Sequence, residues 1–180
     1  RIGRDESVTL VMPQVEMGQG TYTTMSMLIA EELEVDLSQV TLEAAPADNK
    51  LYANPFYGEQ STGGSTSVRA MWEPLRRAGA VARIMLIAAA ANDWSVDPIT
   101  CHAEHGEVIH PPSGQRLKYG VLVDAAAKLP VPASVTLKDP KDFTLIGTPA
   151  KRIDTPDKVN GKAVFGIDAV VPGMKFAAVA

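Results

Sequence analysis

The sequence is poor in cysteine: Cys101 is the only one in 180 residues. A single thiol cannot form an internal disulfide, and it carries no signal of redox compartment. Long hydrophobic runs are absent too. The longest, Ile84 to Ala91, is far short of the ~20 residues that a membrane-spanning helix needs. Nor is there a cluster of Lys and Arg. With 17 basic against 21 acidic residues and a net charge of −4, the chain lacks the basic surface of a non-specific nucleic-acid binder, and nucleic acid is excluded as a partner. Residue 1 is an arginine rather than a methionine, and the first residues do not read as a signal sequence. What remains is ordinary for a soluble globular chain, 46% hydrophobic and 21% charged, and long enough for one or two small domains.

The stretch Val15-Glu16-Met17-Gly18-Gln19-Gly20-Thr21-Tyr22-Thr23 marks the junction of two elements. Residues 8 to 16 read as a strand opening on the β-branched, apolar Val8-Thr9-Leu10-Val11-Met12. Residues 21 to 35 read as an amphipathic helix, with Met25, Leu28, Ile29 and Leu33 inward and Glu31 and Glu34 off that face. Two glycines at such a corner allow a sharp turn and leave no Cβ in a ligand's way. The helix start would offer unpaired N–H groups to an anion such as phosphate. A plain turn whose glycines only relieve strain accounts for the local pattern as well. Gln39 to Ala44 reads as a second strand, completing a β-α-β unit whose ligands favour the loop after the first strand.

Residues 46 to 64 read as a long loop, ending in Gln60-Ser61-Thr62-Gly63-Gly64-Ser65-Thr66-Ser67. A helix follows from Ser67 to Trp94, with a kink or break expected at Pro74 and with Arg69, Glu73, Arg76, Arg77 and Arg83 on its wet face. This second cluster is again a glycine pair at a helix start, with hydroxyls suited to phosphate or to capping by Ser65 or Ser67. Two such corners suggest two helix N-termini converging on one charged ligand. Residues 99 to 118 read as short strands and 119 to 128 as a helix. Cys101, His102, His105 and His110 fit no four-ligand zinc spacing, and the histidines read as surface or strand-edge residues. Prolines 130, 132, 140, 149 and 156 punctuate a linker draped over the surface. Strands are expected at Ala163–Asp168 and from Met174, where the apolar end suggests a piece of a longer polypeptide whose unpaired strands could self-associate.

These residues resemble a family. Glu16 to Thr23 and Gln60 to Arg69 are similar to segments of the molybdenum hydroxylases of the xanthine oxidase family, in particular large (beta) subunits of the isoquinoline 1-oxidoreductase and aldehyde dehydrogenase type. Trp72 to Ala80, Leu145 to Pro149, Arg152 to Gly161 and Gly166-Ile167-Asp168 extend the likeness over nearly the whole chain. It implies an α/β (α+β) fold with a mixed sheet and packed helices. Residues 1–129 would be a portion of a molybdopterin-binding domain, 130–158 a linker, and 159–180 the start of a truncated α/β hammerhead domain. It implies molybdopterin, as the cytosine dinucleotide, held by Gly18, Gln19, Gly20 and Thr21 and by Gln60, Ser61, Thr62, Gly63, Gly64 and Ser65, with Gln19 near the molybdenum ligands. It implies hydroxylation of N-heterocycles or oxidation of aldehydes with water as oxygen source, and electron transfer to a small [2Fe-2S] subunit and, in some complexes, a cytochrome. The compartment stays open between cytoplasm and the periplasmic or inner-membrane side. The alternative is a non-catalytic binding or assembly module using the glycine loops for another phosphorylated ligand, or a structural domain whose apolar ends pair with a neighbour.

The family's catalytic glutamate lies outside these residues, and Glu16 is expected to fix the glycine loop rather than to act as a base. The 180-residue chain by itself is therefore expected to be inactive and to hold no complete cofactor. Metal and pterin analysis of the purified chain checks this, and stoichiometric molybdenum would contradict it.

Overall fold

The computed structural model describes residues 1–179. Strand β1 (Val8–Met12) buries every second side chain, Val8, Leu10 and Met12, as the pleat demands. It stops at Met12 rather than continuing to residue 16, because Pro13 has no N–H for a ladder. Helix α1 (Thr21–Leu33) follows the glycine corner, and a 3-10 turn, Leu37–Gln39, leads into β2 (Val40–Ala44). The two strands are parallel, in register from Val8 opposite Val40 to Met12 opposite Ala44. The short α2 (Asn49–Tyr52) lies within the expected loop. The long α3 (Ser67–Trp94) then packs on α1. Antiparallel strands β3 (His102–Glu104), β4 (Glu107–His110) and β5 (Gln115–Lys118) precede α4 (Tyr119–Ala126). Parallel and antiparallel pairing thus occur in two separate sheets, with the helices packed against them. Among the described residues no helix is long and apolar enough to cross a membrane.

The core lies between α1, α3 and the two sheets. Gly79 sets the approach of the helices: a Cβ there would stand 2.7 Å from the Ile29 carbonyl oxygen. At the far end of α1, the Tyr119 hydroxyl donates to the Leu33 carbonyl (2.7 Å) and the Gly106 N–H to that of Glu34 (2.7 Å), so the first residue of α4 and the β3–β4 turn satisfy carbonyls at the helix end. Helix α3 runs unbroken through Pro74, since one missing i→i−4 bond in a helix packed along α1 does not end it.

Several charges lie inside where the sequence pattern put them outside. Arg76, expected on the wet face of α3, is 5% exposed and pairs with Glu32 at 2.7 Å. Glu31 and Glu32 on α1 have fully buried side chains. The reason is the segment after Pro130. Its N–H groups at Thr144, Leu145 and Ile146 donate to the Glu31 carboxylate, as does the Lys138 ammonium at 2.8 Å. The Lys138 N–H donates to Glu32 at 3.1 Å. The strap has no ladder partners of its own, and two buried carboxylates supply its acceptors. His110, expected at the surface or a strand edge, is the last residue of β4 and is buried, stacked obliquely on Trp94 with its Nδ1 2.7 Å from the Ser113 hydroxyl.

After α5 (Thr155–Val159) the expected strands are absent among the described residues. Gly166–Asp168 is a 3-10 turn, and Val164, Phe165, Ile167 and Phe176 are exposed. A strand needs a neighbour to bond, and none lies alongside. Ala180, the last residue of the second of these, lies outside the described residues.

Acid tests the Glu31 clamp. Burial alone would raise the Glu31 pKa, but the Lys138 ammonium and the N–H donors of Ile146, Leu145 and Thr144 outweigh it and hold the group down at about 2, against an ordinary 4.5. A depressed carboxylate stabilises the fold fully above its unfolded pKa and loses that contribution as pH falls toward its folded one. Glu31→Ala is expected to cost about 3 kcal/mol at pH 7, by leaving the Thr144, Leu145 and Ile146 N–H groups without their acceptor and Lys138 with Glu34 as its one remaining carboxylate. It is also expected to flatten the fall in urea midpoint between pH 4.5 and 2. A variant whose midpoint still falls as steeply as the wild type over that range contradicts the clamp.

Candidate functional site

The glycine corner is built around one carboxylate. Gly18 and Gly20 have φ of 102° and 85°, a region costly for other residues. This curls the chain so that the N–H groups of Gly18 (2.8 Å), Gly20 (2.9 Å) and Tyr22 (3.1 Å) all donate to Glu16, whose side chain is 5% exposed. At the start of α1 the N–H groups of the N-cap Gly20 and of Tyr22, expected to be free for a phosphate, are therefore taken by an internal anion. Glu16 holds the loop, as its sequence setting suggested. Burial pushes its pKa up, but the three N–H donors and the Arg152 guanidinium outweigh that and leave it below the usual range. Gln19 is exposed, and its amide folds back on the loop, donating to the Val15 carbonyl (2.9 Å) and accepting from the Met17 N–H (2.5 Å). A Cβ added at Gly18 or Gly20 would meet nothing within 4 Å, so the outer edge of the loop is open.

The second corner is organised by Asn54, 0% exposed. Its amide donates to the Thr66 hydroxyl (2.8 Å) and its carbonyl accepts the Phe56 N–H (3.0 Å). Thr66 is the N-cap of α3, in place of Ser65 or Ser67, and its hydroxyl donates to the Gly63 carbonyl. Gln60 staples the chain across the loop, accepting from the Asp48 N–H (2.7 Å) and donating to the Pro46 carbonyl (3.0 Å).

The two corners touch. The Val15 N–H, released from the strand by Pro13, donates to the Thr62 hydroxyl at 2.9 Å, and Ser67 at the start of α3 donates to Gln14 at 3.0 Å. Between them lies a cavity of ≈ 410 Å³ walled by Gln14, Met17, Tyr22, Gln60, Ser61 and Thr62 among others. It opens at Met12 and Ala44, the carboxyl ends of both parallel strands, where open α/β sheets place their ligands. No charged side chain lines it. Gln14 is 2% exposed, and its amide nitrogen is the one buried side-chain polar atom among the described residues without a hydrogen-bond partner. Such an orphan donor is costly unless a ligand or water meets it.

A second cavity of ≈ 670 Å³ lies on the other side of the loop, walled by Glu16, Gly18, Tyr22, Asp154, Asp157 and Lys158 among others. Three carboxylates stand there against the Lys158 ammonium and the Arg152 guanidinium that pairs with Glu16 and Asp154, a small net negative charge that disfavours an anion.

Of the residues singled out from sequence, Gln60, Ser61 and Thr62 line the neutral cavity, and Gly18, Gln19 and Gly20 form the loop beside it. Thr21 is buried in the first turn of α1. Gly63 and Gly64 shape the approach to α3, and Ser65 is exposed at φ 54°. Gln14, Asn54 and Arg152 carry the site's geometry and were missed. A polar amide directly after an apolar strand and a proline was a readable signal for Gln14; the other two depend on partners distant in the sequence.

A family model described as molybdopterin cofactor-binding domain matches residues 1–171. The chain is 34% identical over 213 aligned residues to isoquinoline 1-oxidoreductase subunit beta of Brevundimonas diminuta, covering 99% of this chain and 27% of that protein. It is 32% identical to the membrane-bound aldehyde dehydrogenase [pyrroloquinoline-quinone] of Gluconacetobacter polyoxogenes, covering 97% of this chain and 22% of that one. Among solved structures, quinoline 2-oxidoreductase from Pseudomonas putida 86 matches 79% of this chain and 19% of its own with a TM-score of 0.53 at 18% identity, a likeness of fold. The chain thus spans about a quarter of the length of the curated relatives it matches.

Asn54→Ala removes the buried amide that joins Thr66 to the 54–61 turn. It is expected to lower stability by about 2 kcal/mol in urea denaturation and to open residues 46–66 to protease. An unchanged cleavage pattern would show that Asn54 does not organise this corner.

Proposed function

The chain belongs to the molybdopterin cofactor-binding domain family, and from that premise we propose that it forms part of the cofactor-holding portion of a molybdenum hydroxylase large subunit. The observation that carries the reading is the neutral cavity at the ends of β1 and β2. Both glycine corners border it, and a buried amide of Gln14 awaits an acceptor. Amides and hydroxyls there suit the many heteroatoms of a pterin better than they suit a bare phosphate. The residues present therefore fit such a group.

On this reading Gln14, Gln60, Ser61 and Thr62 bind the cofactor's polar edges, while the open sides of Gly18 and Gly20 let it approach the backbone. Gln19 keeps one N–H and one lone pair beyond its two bonds within the loop, and these orient the cofactor's metal-bearing end. When bound, the molybdenum cofactor supplies the two-electron chemistry by which oxygen from water reaches an electron-poor carbon. The chain's part is binding and orientation. Its cytosine dinucleotide form, the N-heterocyclic or aldehyde substrate, the base that activates the water, and a small iron–sulfur subunit as electron acceptor are assigned to the whole polypeptide and its complex. Residues 1–129 are the cofactor-binding portion, 130–158 the strap, and 159–180 the opening of a hammerhead domain. The contrary reading, a module for another phosphorylated ligand, is weakened by Glu16, which already fills the anion position at α1.

The test is the polypeptide that carries this chain, purified from a molybdenum-replete host. One molybdenum and one pterin per chain are expected, with dye reduction by an aldehyde or N-heterocycle. Gln14→Leu is expected to lower pterin content at least tenfold. A polypeptide with no molybdenum contradicts the proposal.

A further inference from the structure

Arg152 lies in the strap, 136 residues beyond Glu16, yet its guanidinium reaches into the glycine loop. One terminal nitrogen donates to the Gly18 carbonyl at 2.9 Å and the other to Glu16 Oε1 at 3.0 Å. The fork is held from behind by Asp154, at 3.1 Å from Nε and 2.9 Å from the second terminal nitrogen, and Asp154 is itself paired with Lys158. The next residue is tied as well: the Ile153 N–H donates to the Thr23 hydroxyl in α1 at 3.1 Å.

Each bond has a separate job. Glu16 gathers the N–H groups of Gly18, Gly20 and Tyr22. Those donors are neutral, and the one positive charge on this nearly buried carboxylate comes from Arg152. The guanidinium completes its shell and also fixes the Gly18 carbonyl, on the side of that glycine opposite the N–H that Glu16 holds. Only a planar fork with several donors can bridge a carboxylate, a carbonyl and a backing aspartate together; a lysine ammonium is a point charge on a mobile stem. We propose that Arg152 is a positioning residue of the glycine loop: through Glu16 and the Gly18 carbonyl it holds the loop in shape before any ligand arrives. Loop order is thereby conditional on the docking of residues 152–158. The inference stands on loop geometry; it rests on the proposed function only in naming the cofactor as what the loop is made ready for.

The experiment is amide hydrogen exchange on the ligand-free chain, read residue by residue by NMR as protection relative to an unstructured chain at the same pH. Arg152→Met is expected to reduce protection of Gly18, Gly20 and Tyr22 at least tenfold, while Ile29 in α1 and Ala80, buried in the middle of α3, stay within twofold. Arg152→Lys should give an intermediate, equally localised loss. Lys158→Met, which removes only the outer pair, should leave the three amides unchanged. The pH profile supplies a readout that a merely structural contact would not move. The charged groups around Glu16 are Arg152, then Asp154 and Lys158 behind it, with Asp157 on the same cavity wall. Wild-type protection of the three amides should fall with acid at a midpoint below 4.5, and Arg152→Met should move that midpoint upward. Equal protection in the wild type and both Arg152 variants overturns the proposal. So does a loss spread uniformly over α1 and β1, or an acid midpoint that Arg152→Met leaves in place. Since no cofactor is present, a failure here is distinct from a failure of the functional reading.

Discussion

The glycine corner depends on a carboxylate that the chain carries itself. A loop with two residues at positive φ followed by a helix start concentrates backbone N–H groups on one point, and such a point attracts an anion. Glu16 is that anion, four residues before the helix N-cap at Gly20. The consequence is directional. With its N–H groups turned inward onto Glu16, the loop offers a ligand its open glycine edges and the Gln19 amide instead of a charge-seeking pocket.

The same device recurs along α1. Glu31 and Glu32 sit in the last turn of the helix, fully buried, and accept from the backbone of the strap at residues 138 and 144–146. A segment rich in proline has few ladder options, and side-chain carboxylates replace the missing partners. Three glutamates, Glu16, Glu31 and Glu32, thus attach two irregular stretches to one helix. Removing any of them leaves donors buried without acceptors, a larger loss than the worth of a surface ion pair.

Much of the architecture was legible in the pattern of residues. The β-branched, apolar run Val8–Met12, helical spacing after Thr21 and again from Ser67 to Trp94, and the short strands between residues 99 and 118 correspond to elements observed within a few residues. The departures have physical causes. Local hydropathy places Glu31, Glu32 and Arg76 in water, because their partners stand about 40 to 110 residues away along the chain. Residues 163–168 have a strand's composition but no neighbouring edge, and composition cannot supply one. At the site, glycine spacing located both corners, while Asn54 and Arg152 became visible only through burial and hydrogen bonding. The likeness of motifs implied the family and the family model bears it out; it did not indicate which groups would be spent internally.

The account therefore divides the two sides of the glycine loop: an acidic face that fastens it to the strap, and a neutral face at the strand ends that receives the ligand. A crystal structure of the cofactor-loaded polypeptide carrying this chain tests that division most directly. The account predicts cofactor density against Gln14 and Gln60–Thr62, with Glu16 still bonded to Gly18, Gly20 and Tyr22. Cofactor phosphate seated on those three N–H groups, with Glu16 displaced, would contradict it.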